Sequence, residues 1–88
     1  MDPNELSGYD VIMRDGKGWN GERAFLEATA RKSLDNMKAL PGARAWWLIE
    51  VKTGRVLVEG GEGVGHHPRE YGYDPAQGLP SLFYQPRK

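Results

Sequence analysis

Two histidines stand side by side at His66-His67, followed closely by Pro68, Arg69, Glu70, Tyr71 and Tyr73. No other stretch of the chain so resembles an active-site inventory. His67 would act as general acid or base, Arg69 would hold developing negative charge and Tyr71 would supply a second proton, the equipment of a small metal-independent ribonuclease or toxin. Local geometry favours a plainer reading. Adjacent side chains on an extended backbone point to opposite sides, and helical metal pairs use i, i+4 spacing, so His66 and His67 do not converge on one ion. A metal would need Asp10, Glu70 or Asp74 brought in by the fold, and nothing in their spacing requires it. No metal or cofactor is implied, and the two rings read as structural or solvent-facing loop residues.

The glycines just upstream, Gly60-Gly61-Glu62-Gly63-Val64-Gly65, follow an apolar strand-like run and invite comparison with nucleotide-binding loops. The dinucleotide fingerprint G-x-G-x-x-G fails because its third glycine arrives one residue early and Pro68 follows where a helix should start. The phosphate-loop pattern fails for want of a Lys-Ser or Lys-Thr pair, and no G-x-S-x-G elbow occurs. These glycines read as a flexible joint.

Composition bounds the remaining options. The chain has 88 residues, 12 basic against 12 acidic, and no cysteine. One small domain fits that length. Without cysteine there is neither a disulfide framework nor a thiolate zinc site. Zero net charge argues against a general polyanion binder, because phosphate binding draws on counterion release by a basic excess. No apolar run reaches the length of a membrane span, and Met1-Asp2-Pro3-Asn4-Glu5 has neither the basic region nor the apolar core of a signal peptide; a cytoplasmic location is the expectation.

The residues that could act must be positioned by a few elements. Residues 1–8 read as a frayed acidic lead-in. Tyr9 to Arg14 alternates as a strand and Asp15-Gly16 closes it. Gly16, Gly18 and Gly21 place Trp19 in a loop. A helix is expected from Glu22 to Leu40, with Asn20 as N-cap, Glu22 and Lys38 suiting the two ends of the helix dipole, and Pro41-Gly42 as terminator. Leu26, Ala30, Leu34 and Met37 make its apolar stripe, while Glu27, Arg31 and Asp35 form i, i+4 pairs on the solvent side. Arg44–Val51 and Arg55–Glu59 flank Lys52-Thr53-Gly54 as a hairpin. The fold class is therefore α+β: a β-α-β-β core over residues 9–59, with one helix on a three-stranded mixed sheet joined by a right-handed crossover. Residues 60–88, dense in Gly and Pro yet aromatic, form an extended tail partly docked on the core.

Strand faces give the sharpest functional expectation. Ala45, Trp47, Ile49 and Val51, with Val56 and Val58, should pack on the helix. That leaves Trp46, Leu48 and Leu57, with Ile12 beside them, on a face where an antiparallel sheet under one helical layer would present polar residues to water. Arg44, Glu50, Arg55 and Glu59 would rim this apolar patch, which must be covered. The aromatic tail, through Leu79, Leu82, Phe83 or Tyr84, is the first candidate cover, and a second copy or another protein is the next.

The function read from this pattern is a non-enzymatic protein-interaction module. Its binding residues would be Trp46, Leu48, Leu57, Arg44, Arg55, Trp19, Phe83 and Tyr84, with a protein partner or a homodimer as occupant. In size, neutrality and lack of cysteine the chain resembles the small accessory proteins of phages and mobile elements that bind and inhibit a larger host complex. Single-stranded nucleic acid is the second reading, with Trp46, Tyr71, Tyr73 and Tyr84 stacking bases and Arg44, Arg55, Arg69, Arg87 and Lys88 meeting phosphates. The His66, His67, Arg69, Tyr71 ribonuclease is the third.

Overall fold

The computed structural model describes residues 7–77. Its elements run β1 (Tyr9–Arg14), β2 (Trp19–Ala24), α1 (Glu27–Lys38), β3 (Ala45–Glu50), β4 (Arg55–Gly61) and a short 3-10 helix, Pro68–Tyr71. The sheet has four strands in the order β2-β1-β3-β4, and every pairing is antiparallel. The small α+β class expected from the sequence is what the chain adopts. The three-stranded mixed sheet is corrected, because Trp19 to Ala24 is a strand and not a loop leading into a helix. Each of these six residues is in register with β1, from Arg14↔Trp19 to Tyr9↔Ala24. Since β2 and β3 both run opposite to β1, the helical crossover joins two like-directed strands that flank β1, a split β-α-β arrangement.

The extra strand displaces the helix start. α1 begins at Glu27, and Leu26 takes the N-cap position with φ −106° and ψ 139°, offering no side-chain bond to the first turn. Asn20 is therefore not the cap, and Leu26 is not on the buried stripe but 68% exposed. Ala30 and Leu34 bury as expected, with Met37 packed beside them. Glu27 is the first-turn acid. It pairs with Arg31 at 2.7 Å, whereas Asp35 turns to Lys38 at 3.3 Å. No helix among the described residues is long and apolar enough to cross a membrane.

Alternation along the strands was legible, but the layers are exchanged. α1 covers the face of Val11, Ala24 and Leu48, with Trp46, Leu57 and Val58 at its margin. Ile12, Ala45, Trp47 and Ile49 lie on the other face, packed with Tyr73 and bordered by Trp19, Val56 and Tyr71. The cover on that second side is residues 62–73, which cross the sheet as a strap. A β-bulge sits between Leu48 and Ile49, where the partner skips from Val58 to Val56. The extra residue, Leu57, lets both Leu57 and Val58 pack toward the helix while Val56 faces the strap, which is why Val58 departs from its expected side.

The glycine run is no joint. Gly60 is paired with Trp46 across the ladder. A Cβ there would lie 2.1 Å from the indole Nε1, so the bare backbone is the floor on which Trp46 rests. Gly63 does the same for Trp47, whose Cε2 would be 2.7 Å from an added Cβ. Gly60→Ala is expected to destabilise the domain by about 1–3 kcal/mol, the range for overpacking, read as a lower urea midpoint. A midpoint unchanged from the parent would show that Trp46 is free to move aside.

Candidate functional site

The strap is fastened at three points. Trp47, 1% exposed, donates its indole N–H to the carbonyls of Gly63 at 3.2 Å and His66 at 3.0 Å. The Tyr73 hydroxyl donates to Asp10 Oδ2 at 2.5 Å. Asp10 is wholly buried, and it also accepts from Arg23 Nε at 2.7 Å and Nη2 at 2.8 Å. Arg23 reaches on to the Pro75 carbonyl at 2.8 Å. Burial, and then the Asp10 hydrogen bond, push the Tyr73 phenol well above its usual range. The same carboxylate raises the Arg23 guanidinium.

The third fastening is His67. Its Nδ1 accepts from Arg69 N–H at 3.0 Å, so in the neutral ring Nε2 carries the proton and donates to the Gly54 carbonyl at 2.7 Å. Glu70 completes the cap by accepting from His67 N–H at 3.0 Å. It also meets His66 Nδ1 at 3.1 Å. The His67 amide, then the His66 ring, hold the Glu70 carboxyl below its ordinary range. The two histidine rings thus serve different partners, and both nitrogens of His67 are committed to the fold. Arg69 lies over Gly54, its Nη2 2.7 Å from where a Cβ would stand. Tyr71 packs instead against Trp19 and Trp47. Among the described residues, no group of three His, Asp or Glu side chains is placed to hold a metal. His67→Ala is expected to remove about 1–2 kcal/mol through loss of the cap and the Gly54 bond, and to speed amide exchange across residues 66–73. Unchanged exchange there would mean the strap is held elsewhere.

The sequence-derived binding residues do not form one surface. Trp46, Leu48 and Leu57 belong to the helix-covered layer. Arg44 adjoins the start of β3, whereas Arg55 pairs with Glu50 at its far end, the two ends of the layer that α1 covers. Phe83 and Tyr84, with Leu79 and Leu82, lie outside the described residues. Tyr71 and Tyr73 pack on the Trp47 side, not on the Trp46 face that the tail was expected to cover.

Trp19 remains, and beside it, with Trp47 and Tyr71, stand Arg14 and Lys17, which were not expected as site residues from the sequence. Its ring stacks on Trp47 at 5.9 Å with 27° between planes, and Tyr71 stands 5.4 Å away. The Arg14 guanidinium sits 5.5 Å from the Trp19 ring centre and 5.3 Å from that of Tyr71. Beyond it the β1–β2 turn is shaped by Asp15, whose Oδ1 accepts from Lys17 N–H at 2.7 Å and Gly18 N–H at 2.9 Å. Those two amides hold the Asp15 carboxyl below its usual range. Two open clefts flank this turn. One of about 300 Å³ is lined by Asp15, Lys17, Gly18, Trp19 and Asn20, and one of about 330 Å³ is lined by Asp15, Gly16, Lys17, Pro41, Gly42 and Arg44. The signal for this site was the pairing of Trp19 with Arg14 across a hairpin, visible only once Trp19–Ala24 is read as a strand. A four-stranded antiparallel sheet with a helix on one face and an aromatic strap on the other defines a small α+β domain with a cation-aromatic cluster at one sheet end. Comparisons with protein families, curated proteins and solved structures find no match to this chain.

Proposed function

We propose that this protein is a non-enzymatic binding module that engages a protein partner through the Trp19 end of its sheet, occupying a surface of a larger assembly. The observation that carries this reading is Arg14, an exposed residue held against both Trp19 and Tyr71. A long cationic side chain pre-ordered on rings backed by a buried tryptophan loses little further entropy on binding, and Trp, Tyr and Arg are the residues that dominate interface energetics. Two features support a non-enzymatic role: the His67 nitrogens are used in the cap and the Gly54 contact, and Arg69 and Tyr71 lie apart on different neighbours. The homodimer reading rested on the Trp46 face, which α1 now occupies.

A photo-crosslinking residue placed at position 17, with one at position 52 as control, tests the proposal in the native cell. Position 17 should capture a protein that position 52 does not. Arg14→Ala or Trp19→Ala should weaken that complex about 30-fold, the scale of a hot spot near 2 kcal/mol, while Arg55→Ala leaves it unchanged. Equal capture from both positions, or capture indifferent to Arg14 and Trp19, would overturn the assignment.

A further inference from the structure

Resting on that reading of the Trp19 end, we infer that the partner segment it receives is acidic, an extended stretch whose carboxylates enter the clefts on either side of Lys17. Three cations meet at this end. Arg44 N–H donates to the Arg14 carbonyl at 2.8 Å, which sets their backbones side by side. The Arg44 guanidinium lies across Gly16, with Nη2 3.7 Å from an ideal Cβ position. Lys17 lines both clefts. Among the described residues Arg14, Lys17 and Arg44 form no ion pair, as Lys32, Lys52, Arg55 and Arg69 also do not, and the first three are set apart by meeting at one end of the sheet.

Asp15 is the acid in their midst and lines both clefts; its carboxylate accepts from the Lys17 and Gly18 amides and also feels the Lys17 and Arg44 charges, so it offsets part of their field. Glu62, whose N–H donates to the Arg44 carbonyl at 2.7 Å, is the second nearby acid. Three cations against these two leave a small positive excess, and that size decides the partner class. Single-stranded nucleic acid is held by a track of phosphates along many cations, with bases stacked on open aromatic faces. Here Trp19 has Trp47 stacked against it, and Arg14 also lies within cation-aromatic range of its ring. A peptide carboxylate needs one or two cations. A guanidinium presents N–H donors whose spacing matches a carboxylate in a forked contact. Each cleft has room for more than one side chain of a peptide, and Trp19 walls one while Pro41 walls the other, so acidic residues interleaved with apolar ones fit both.

The test uses the full chain, isotopically labelled, titrated with a blocked peptide of alternating Glu and Leu, its Lys-Leu counterpart, and an oligothymidylate of about eight nucleotides. The acidic peptide should shift amides of residues 14–20 and 41–44. Its binding should weaken at least tenfold between about 20 and 200 mM salt, as the screening length shortens, and likewise in the Lys17→Glu, Arg44→Glu double variant. No such shifts from the acidic peptide, equal shifts from the basic peptide, or shifts from the oligonucleotide alone would overturn the inference. The crosslinked partner separates the two claims. A segment captured from position 17 that holds no acidic residue would leave the protein-binding reading standing and remove this one.

Discussion

Trp47→Ala is expected to remove about 3–5 kcal/mol, the range for truncating a buried large aromatic side chain. A domain this small stands near the low end of the about 5–15 kcal/mol typical of folded proteins, so the variant should keep little margin of stability. The size of the effect follows from position. Trp47 packs in the centre of the strap-side layer with Ile12, Ala45, Ile49 and Tyr73. Trp19 and Tyr71 lean on its ring, and its N–H holds the carbonyls of Gly63 and His66. Truncation opens a cavity and strands two carbonyls. Trp47→Phe keeps most of the ring packing and strands only the carbonyls, at about 1–2 kcal/mol, with faster exchange at residues 63–67.

Trp46→Ala is the control that gives this result its meaning. The two tryptophans are neighbours of like composition, yet Trp46 is a half-buried residue at the margin of the helix-side layer, spread over Gly60. Its loss should cost about 1–2 kcal/mol from the apolar area uncovered. Urea denaturation of the two variants measures the difference directly. A larger loss for Trp46 than for Trp47 would place the centre of the core on the helix side and contradict the layering described above.

Alternation made Tyr9 to Arg14 and the hairpin around Gly54 readable, since period-2 patterns and a positive-φ glycine are local signals. Which residues of one strand share a face followed from the same alternation, but not how strands align: Ile12 lies with Trp47 instead of Leu48, and Val58 changes side at the bulge. What covers each face did not, because the helix stripe of Ala30, Leu34 and Met37 and the strap rings of Tyr71 and Tyr73 are both apolar and either layer accepts either. The bare backbones at Gly60 and Gly63 mark where the indoles rest, but only after the strands are placed. β2 was hidden for a different reason. Trp19-Asn20-Gly21-Glu22-Arg23-Ala24 holds an internal glycine and adjacent opposite charges, which read as loop and helix start. Its pairing with β1 is sustained by a non-local contact, Arg23 with Asp10, that no window of sequence displays. The candidate site inherited that blindness, because Trp19 was singled out without the Arg14 that faces it across the hairpin.

The Asp10 cluster carries the second large prediction, and an asymmetry within it. Asp10 is wholly buried, whereas the Arg23 side chain is 35% exposed. Asp10→Ala should cost about 3 kcal/mol: it leaves the Tyr73 hydroxyl without its acceptor, yet Arg23 can turn its charge to water. Arg23→Leu should cost more, about 3–5 kcal/mol, because it strands the charge that water cannot reach. Replacing all three at once, Asp10→Leu with Arg23→Leu and Tyr73→Phe, should cost less than the sum of the single changes. Alkaline titration then isolates Tyr73. Its phenol is raised in the folded protein by burial and by Asp10, so the unfolded chain releases that proton first, near pH 10. The stability it contributes is complete below that pH and falls as pH rises beyond it, by up to about 1.4 kcal/mol per unit. Subtracting the Tyr73→Phe stability curve from that of the parent removes the lysine and other tyrosine contributions, and the difference should fall steadily above about pH 10. A flat difference would mean that Tyr73 ionises as easily folded as unfolded, and that the contact tying the strap to Asp10 does not persist in solution.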